Sequence, residues 1–192
     1  KQDVLRYTMT TIAPETKDAD FTWADFQAKN NNELLAILGN FINRTIVLTH
    51  KYYQGVIPEL GTPTELEQEV LNKIKEFPTS IGNSIEKFRF REALAEYMNL
   101  ARLGNKYLTD AEPWKKQKEN PEAVKTILHV SLQICAALSV LGEPFLPFTA
   151  KKIQNMLNID IHEWEKGGRT DLLKAGEKIN SAEYLFENID DA

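Results

Sequence analysis

The sequence has one cysteine, Cys135, and three histidines, His50, His129 and His162, scattered over 192 residues. A single cysteine excludes an internal disulfide framework and a cysteine zinc site, and agrees with a reducing cytoplasm. The histidines match no metal-ligand spacing, and His129, inside an apolar stretch, reads as a hydrogen-bonded core residue. A nucleophile elbow, a glycine-rich phosphate loop and a paired-carboxylate motif are all missing, so nothing in the chain performs chemistry by itself. No run reaches the roughly 18 to 20 unbroken apolar residues of a membrane span. The greasiest region, 127–146, is interrupted by His129, Ser131, Gln133, Ser139 and Glu143 and reads as a buried helix. Basic charge is also short: 23 Lys and Arg against 28 Asp and Glu leave a net charge of −5. General nucleic-acid binders are usually basic. That balance suits an RNA partner only if a small local site reads it and another domain supplies the remaining contacts. The first residues, Lys1-Gln2-Asp3-Val4-Leu5-Arg6, show neither an initiator Met nor the apolar core of a signal peptide, and they start mid-pattern. A piece of a longer protein is therefore expected.

What is present is helical. Hydrophobic residues make up 42% of the chain and charged ones 27%. That is enough for one real core, with or without a terminal extension. Strand signals are few. Residues 4–12 suit a strand by β-branching or a short helix by the spacing of Val4, Leu5 and Met9; Pro14 ends either. After a polar connector, 15–20, a long helix is predicted over 23–53, with Leu34, Leu38, Phe41, Ile42, Thr45 and Tyr53 near one face. Gly55 and Pro58 stop it. A second helix is predicted from 62 to about 77, with Thr62 as N-cap, Pro63 in the first turn and Glu65 as capping-box acid, broken by Pro78. A third spans about 81–107, with an apolar stripe through Phe90, Leu94, Tyr97, Met98, Ala101 and Leu108. Asp110 is expected to cap a short turn led by Pro113. A fourth, 122–141, has Asn120 as N-cap and two apolar faces, which puts it in the centre of a bundle. Pro144 and Pro147 bend the path into a fifth over 148–157. The tail from His162 is rich in glycine and charge, with one apolar knot, Tyr184-Leu185-Phe186.

Three side-chain chemistries stand out against this scaffold. Asn40 and Arg44 lie four residues apart and share a helix face, to one side of the Leu34, Leu38 and Phe41 stripe. A solvated surface shows the same spacing. The functional alternative is a recognition face whose amide and guanidinium meet base edges. Trp114 follows Pro113 in a polar neighbourhood, with Lys115, Lys116 and Lys118 next to it. It serves either as a core anchor or as an aromatic platform beside phosphate-attracting lysines, the combination that single-stranded RNA requires. Asn105 falls on the apolar stripe of its helix, where a polar group must find partners. A structural role is expected: its amide ties the turn 107–112 to a neighbouring helix and so orients Trp114 indirectly.

These pieces come in an order that resembles the methionyl-tRNA synthetase family. The stretch 14–55 holds Pro14-Glu15, Asp18-Ala19-Asp20-Phe21-Thr22-Trp23, Asn30-Asn31-Asn32-Glu33-Leu34 and Gly39-Asn40-Phe41-Ile42-Asn43-Arg44. Downstream come Asn105-Lys106-Tyr107, Glu112-Pro113-Trp114 and Pro144-Phe145-Leu146-Pro147, then Leu185-Phe186 with Ile189-Asp190-Asp191. The resemblance covers nearly the whole chain. It implies an all-α bundle of the class I aminoacyl-tRNA synthetase anticodon-binding type. On this basis residues 1–20 end the stem-contact region, 21–160 form the bundle, and 161–192 form a tail packed on it. It also implies that Asn40, Arg44 and Trp114 contact the CAU anticodon of methionine-accepting tRNA, with Trp114 at its first base, and with Asn105 and Pro113 in support.

The family's His-Ile-Gly-His and Lys-Met-Ser-Lys-Ser type signatures, its zinc knuckle and the extra C-terminal tRNA-binding domain of some members are not in these residues. The fragment is thus expected to be non-catalytic and to need no cofactor or metal. ATP would be used by a cytoplasmic parent enzyme whose catalytic domain is the other expected partner; no membrane is. Two rivals stand beside this reading. One is the anticodon domain of another class I synthetase, which would lack the Asn40-to-Arg44 and Pro113-Trp114 pairing. The other is a helical protein-interaction module, favoured by the acidic balance and separable by its weak response to salt.

Overall fold

A computed structural model describes residues 2–190. Helix α1 (Gln2–Thr11) settles the ambiguous first segment, because Val4, Tyr7 and Thr8 bury one side of it. The long helix runs without a break from 23 to 53, but in three parts. Helix α2 (Trp23–Ala28) starts at Thr22, whose hydroxyl accepts the Asp25 N–H at 3.1 Å. A π-helical segment (Lys29–Gly39) follows, and then α3 (Asn40–Tyr53). The wider π turn is frequent at functional sites, and here it ends where Asn40 begins. Of the expected stripe, Leu34, Leu38, Phe41, Ile42 and Thr45 are buried and Tyr53 is only half-buried; Ile46, not predicted, joins the buried face.

The next helices depart from the predicted bounds. Helix α4 (Glu65–Ile74) is capped by Thr64 in a capping box with Glu67, two residues later than the Thr62 and Glu65 of the prediction. The box geometry, with the Thr64 N–H donating to Glu67 at 2.9 Å, outweighs the signal of Pro63. Pro78 does not separate helices; it sits in the first turn of α5 (Phe77–Glu86), where its missing N–H does no harm. The single helix predicted over 81–107 is two. Helix α6 (Phe90–Ala111) starts after a break at 87–89, where Phe88 takes φ 56° and is 76% exposed. Helix α7 (Pro113–Glu119) is not capped by Asp110, which pairs with Lys106 on its own helix.

Helix α8 (Pro121–Leu141) is the central one. Asn120 caps it through the Ala123 N–H at 3.3 Å, and α3, α6, α7 and α9 (Pro147–Leu157) pack around it. Among the described residues it alone has the length and hydropathy of a membrane span, and 94% of its most apolar window is buried. That identifies it as the core helix. The tail wraps back through a 3-10 turn (Trp164–Gly168) into extended chain. Gln133 holds it from inside, donating to the Leu173 carbonyl at 2.9 Å and accepting the Leu172 N–H at 3.1 Å. Among the described residues the one β contact is a bridge between Val56 and Lys178. Both ends of the chain join the common core, through Val4 and Tyr7 at one end and Leu173, Ile179 and Phe186 at the other. Of the expected closing motif, Asp191 lies outside the described residues.

Candidate nucleic-acid interface

Helices α3 and α6 approach closely enough to present one surface. A Cβ on Gly104 would sit 2.5 Å from the Phe41 ring, so only glycine lets α6 lie against this buried aromatic. The next residue, Asn105, then reaches the long helix. Its Nδ2 donates to the Ile37 carbonyl at 2.8 Å, and its Oδ1 accepts from Asn40 Nδ2 at 3.3 Å. This corrects the expected role. Asn105 does not tie the turn 107–112; it ties α6 to the end of the π-helical segment and holds Asn40 directly.

Trp114 arrives from the other side. Helix α6 stops at Glu112, which adopts the left-handed region at φ 47° without being glycine. Such strain gathers at functional sites. Pro113, buried, starts α7 and brings Trp114 round, 37% exposed. The Arg44 guanidinium carbon lies 5.3 Å from the centroid of the Trp114 ring, within cation–π range. Residues 70 apart in sequence thus meet at one spot, with Asn40 one helical turn before Arg44.

Several polar groups here are uncommitted. Among the described residues Arg44 makes no hydrogen bond or ion pair, and the Asn40 Oδ1 has no donor. Lys116 and Lys118 on α7 likewise make no ion pair, whereas Lys115 is held by Glu112 at 2.7 Å. The Glu112 carboxylate raises the Lys115 pKa. Chemically the site offers five guanidinium N–H donors, an amide acceptor, a partly open indole and, one turn on from Trp114, the Lys118 ammonium, which makes no ion pair among the described residues; Lys116 falls on the far side of α7. This set matches an unstacked nucleotide: donors and an acceptor for the base edge, a ring for its face, a cation for its phosphate.

The histidines are occupied elsewhere. His129 is buried with Nδ1 2.8 Å from the Pro58 carbonyl, and His50 pairs with the Asn180 carbonyl at 2.8 Å. No group of three His, Cys, Asp or Glu suited to a metal occurs among the described residues. Sequence spacing misses the role of the asparagine run. Asn30, fully buried, donates to the Glu187 carbonyl at 2.8 Å, and Asn31 exchanges two hydrogen bonds with Ile189, fastening the tail to the π segment. A buried amide such as that of Asn30 requires partners, but nothing local says that they lie more than 150 residues away.

Comparison with known proteins bears on this geometry. A family model described as the anticodon binding domain of methionyl tRNA ligase matches residues 57–192, and one described as tRNA synthetases class I (M) matches 1–46. A protein of Cytophaga hutchinsonii named methionine–tRNA ligase is 60% identical over the whole chain. One of the same name from Flavobacterium johnsoniae is 53% identical. The chain spans 28% and 31% of their respective lengths. The apo methionyl-tRNA synthetase of Mycobacterium tuberculosis superposes with a TM-score of 0.91 at 19% identity, over 99% of this chain and 39% of that one. At that identity the likeness speaks for the fold.

Proposed function

The chain belongs to the family of methionyl-tRNA synthetase anticodon-binding domains, and we propose that it reads the CAU anticodon of methionine-accepting tRNA through Asn40, Arg44 and Trp114. The observation that carries this reading is Arg44, with no hydrogen bond or ion pair among the described residues, seated 5.3 Å over the half-open Trp114 ring and one helical turn from Asn40. The first anticodon base stacks on the indole while the guanidinium and amide meet its edge. Asn105 holds Asn40 in register, and Pro113 sets the ring. The whole protein then joins methionine to that tRNA using ATP, in the cytoplasm, with the chemistry supplied by a catalytic domain outside these residues. Division into a joining segment (1–20), a reading bundle (21–160) and a packed tail (161–192) follows from the same reading. Exposed Leu5 and Met9, on the solvent side of α1, are suited to a contact with the rest of such a protein.

The test is binding of a CAU anticodon hairpin, and of one altered at the first anticodon base, to the full-length protein and its Trp114→Ala and Arg44→Ala variants. The expected result is a preference for CAU that each variant loses without a change in melting. Affinity should fall steeply with salt. Equal binding of both hairpins by the wild type would leave only backbone attraction and overturn the assignment.

A further inference from the structure

A groove of about 400 Å³ opens on the side of Asn40 away from Trp114, lined by Leu35, Gly39, Asn40, Asn43, Tyr184 and Phe186 among others. Helix geometry sets the two sides. At 3.6 residues per turn, Arg44 falls about 40° to one side of Asn40 and Asn43 about 60° to the other. Asn40 is therefore the ridge between them. The amide of Asn43 makes no hydrogen bond among the described residues, so both its donor and its acceptor are free.

The opposite wall is the tail. Phe186 is buried, 3% exposed, and forms the floor; Tyr184 is 79% exposed and stands at the rim. The backbone that carries Tyr184 is fastened on both sides. Upstream, the Ile179 N–H donates to the Gly55 carbonyl and the Asn180 N–H to the Met156 carbonyl, each at 2.8 Å. Downstream, Asn30 and Asn31 grip Glu187 and Ile189. An exposed aromatic on an anchored strap is a preorganised platform, because little ordering remains to be done when a ligand lands on it. Glu183 and Glu187 flank the ring in sequence and disfavour a phosphate there. The groove thus suits a base, with the RNA backbone running on the side of Arg44 and of Lys118, which shares the Trp114 face of α7.

Resting on the anticodon reading above, we propose that this groove is a second base subsite. It takes the nucleotide next to the one on Trp114, with Tyr184 stacking on its face and Asn43 pairing with its edge. A bidentate amide favours adenine among the bases. The C-terminal tail is then part of the reader and not merely a clasp.

The test uses the full-length protein with CAU hairpins in which each anticodon position in turn is made abasic. Loss of base stacking weakens binding by roughly fivefold to a hundredfold. Tyr184→Ala is expected to cause a loss in that range with unchanged melting, and Tyr184→Phe to bind as wild type. Removing the base next to the first anticodon base should weaken the wild type but add nothing to Tyr184→Ala. Asn43→Ala should lose the preference for adenine at that position. If Tyr184→Ala binds as wild type while Trp114→Ala loses discrimination, the second subsite is wrong and the anticodon reading stands. If neither variant differs from wild type, both readings fall.

Discussion

Helix α8 and the long helix ending in α3 pack against each other, but their polar residues have opposite fates. On α8 each polar side chain along the buried length is committed inward. Ser131 donates to the Ile127 carbonyl and Ser139 to the Ala136 carbonyl, His129 meets Pro58, and Gln133 holds the tail. On α3 a buried stripe through Phe41, Ile42 and Ile46 backs a face on which Asn43 and Arg44 have no hydrogen-bond partner among the described residues. The pairing of a closed helix with an open one divides the labour. The first makes the bundle rigid. The second borrows that rigidity to hold unpaired donors at fixed positions, which is what makes them selective.

The largest effect expected is on the closed side. Leu138→Ala, at a fully buried position of α8, should cost about 2–5 kcal/mol by cavity formation, measured by urea unfolding, while the folded fraction still discriminates anticodons. Trp114→Ala should do the reverse. Loss of one stacked base weakens RNA binding by about 1–3 kcal/mol, whereas a ring more than one-third exposed should change stability by less than about 1 kcal/mol. If the two variants shift stability and binding alike, the division between the helices is wrong.

Asn105, on α6 and bonded to the long helix, joins scaffold to reading face. Asn105→Ala removes the donor to the Ile37 carbonyl and the acceptor for Asn40. A loss of about 1 kcal/mol of stability is expected for the first, and weaker anticodon discrimination for the second. Calorimetry alongside hairpin titration separates them, and an effect on stability alone would make Asn105 pure scaffold.

How much of this was legible in the sequence depends on the range of the interaction. The long helix, the buried α8 with its Asn120 cap, and the common face of Asn40 and Arg44 follow from periodicity and caps alone, because each is decided within a few turns. The break at 87–89 was not legible. Its residues, Lys87, Phe88 and Arg89, include no proline or glycine; the left-handed Phe88 closes α5 in a Schellman turn, its N–H donating to the Ile85 carbonyl at 2.9 Å and the Arg89 N–H to the Ser84 carbonyl at 2.8 Å, at a position where glycine is the usual signal. The meeting of Arg44 with Trp114 depends on the turn at Glu112 and on the absent side chain of Gly104, features with a meaning only once the helices are placed. The resemblance to a family pointed to these residues as a set; spacing alone left Arg44 readable as solvated surface and Trp114 as a core anchor. The clasp of Asn30 and Asn31 on the tail had no local signature.

The smallest predicted effect concerns acid. Glu67 on α4 is buried against α6, where the Tyr107 hydroxyl donates to it at 2.9 Å, and Thr64 donates through both its N–H and its hydroxyl. Burial alone pushes its pKa up, but the hydrogen bonds from Thr64 and then Tyr107 outweigh it and hold the carboxyl below its ordinary 4.5. A depressed folded value means stability that is complete above 4.5 and lost as pH falls through the folded pKa. Glu67→Gln lacks that component, so the stability gap between wild type and variant should stay constant near neutrality and narrow in acid. Glu67 lies on the closed side of the bundle, so anticodon discrimination at neutral pH should not change. A gap that persists undiminished in acid, read from urea midpoints across the pH range, would show that the carboxylate's hydrogen bonds do not set it. A variant that also lost discrimination would tie the α4–α6 contact to the reading face, and the boundary between scaffold and reader would have to be drawn closer to Tyr107.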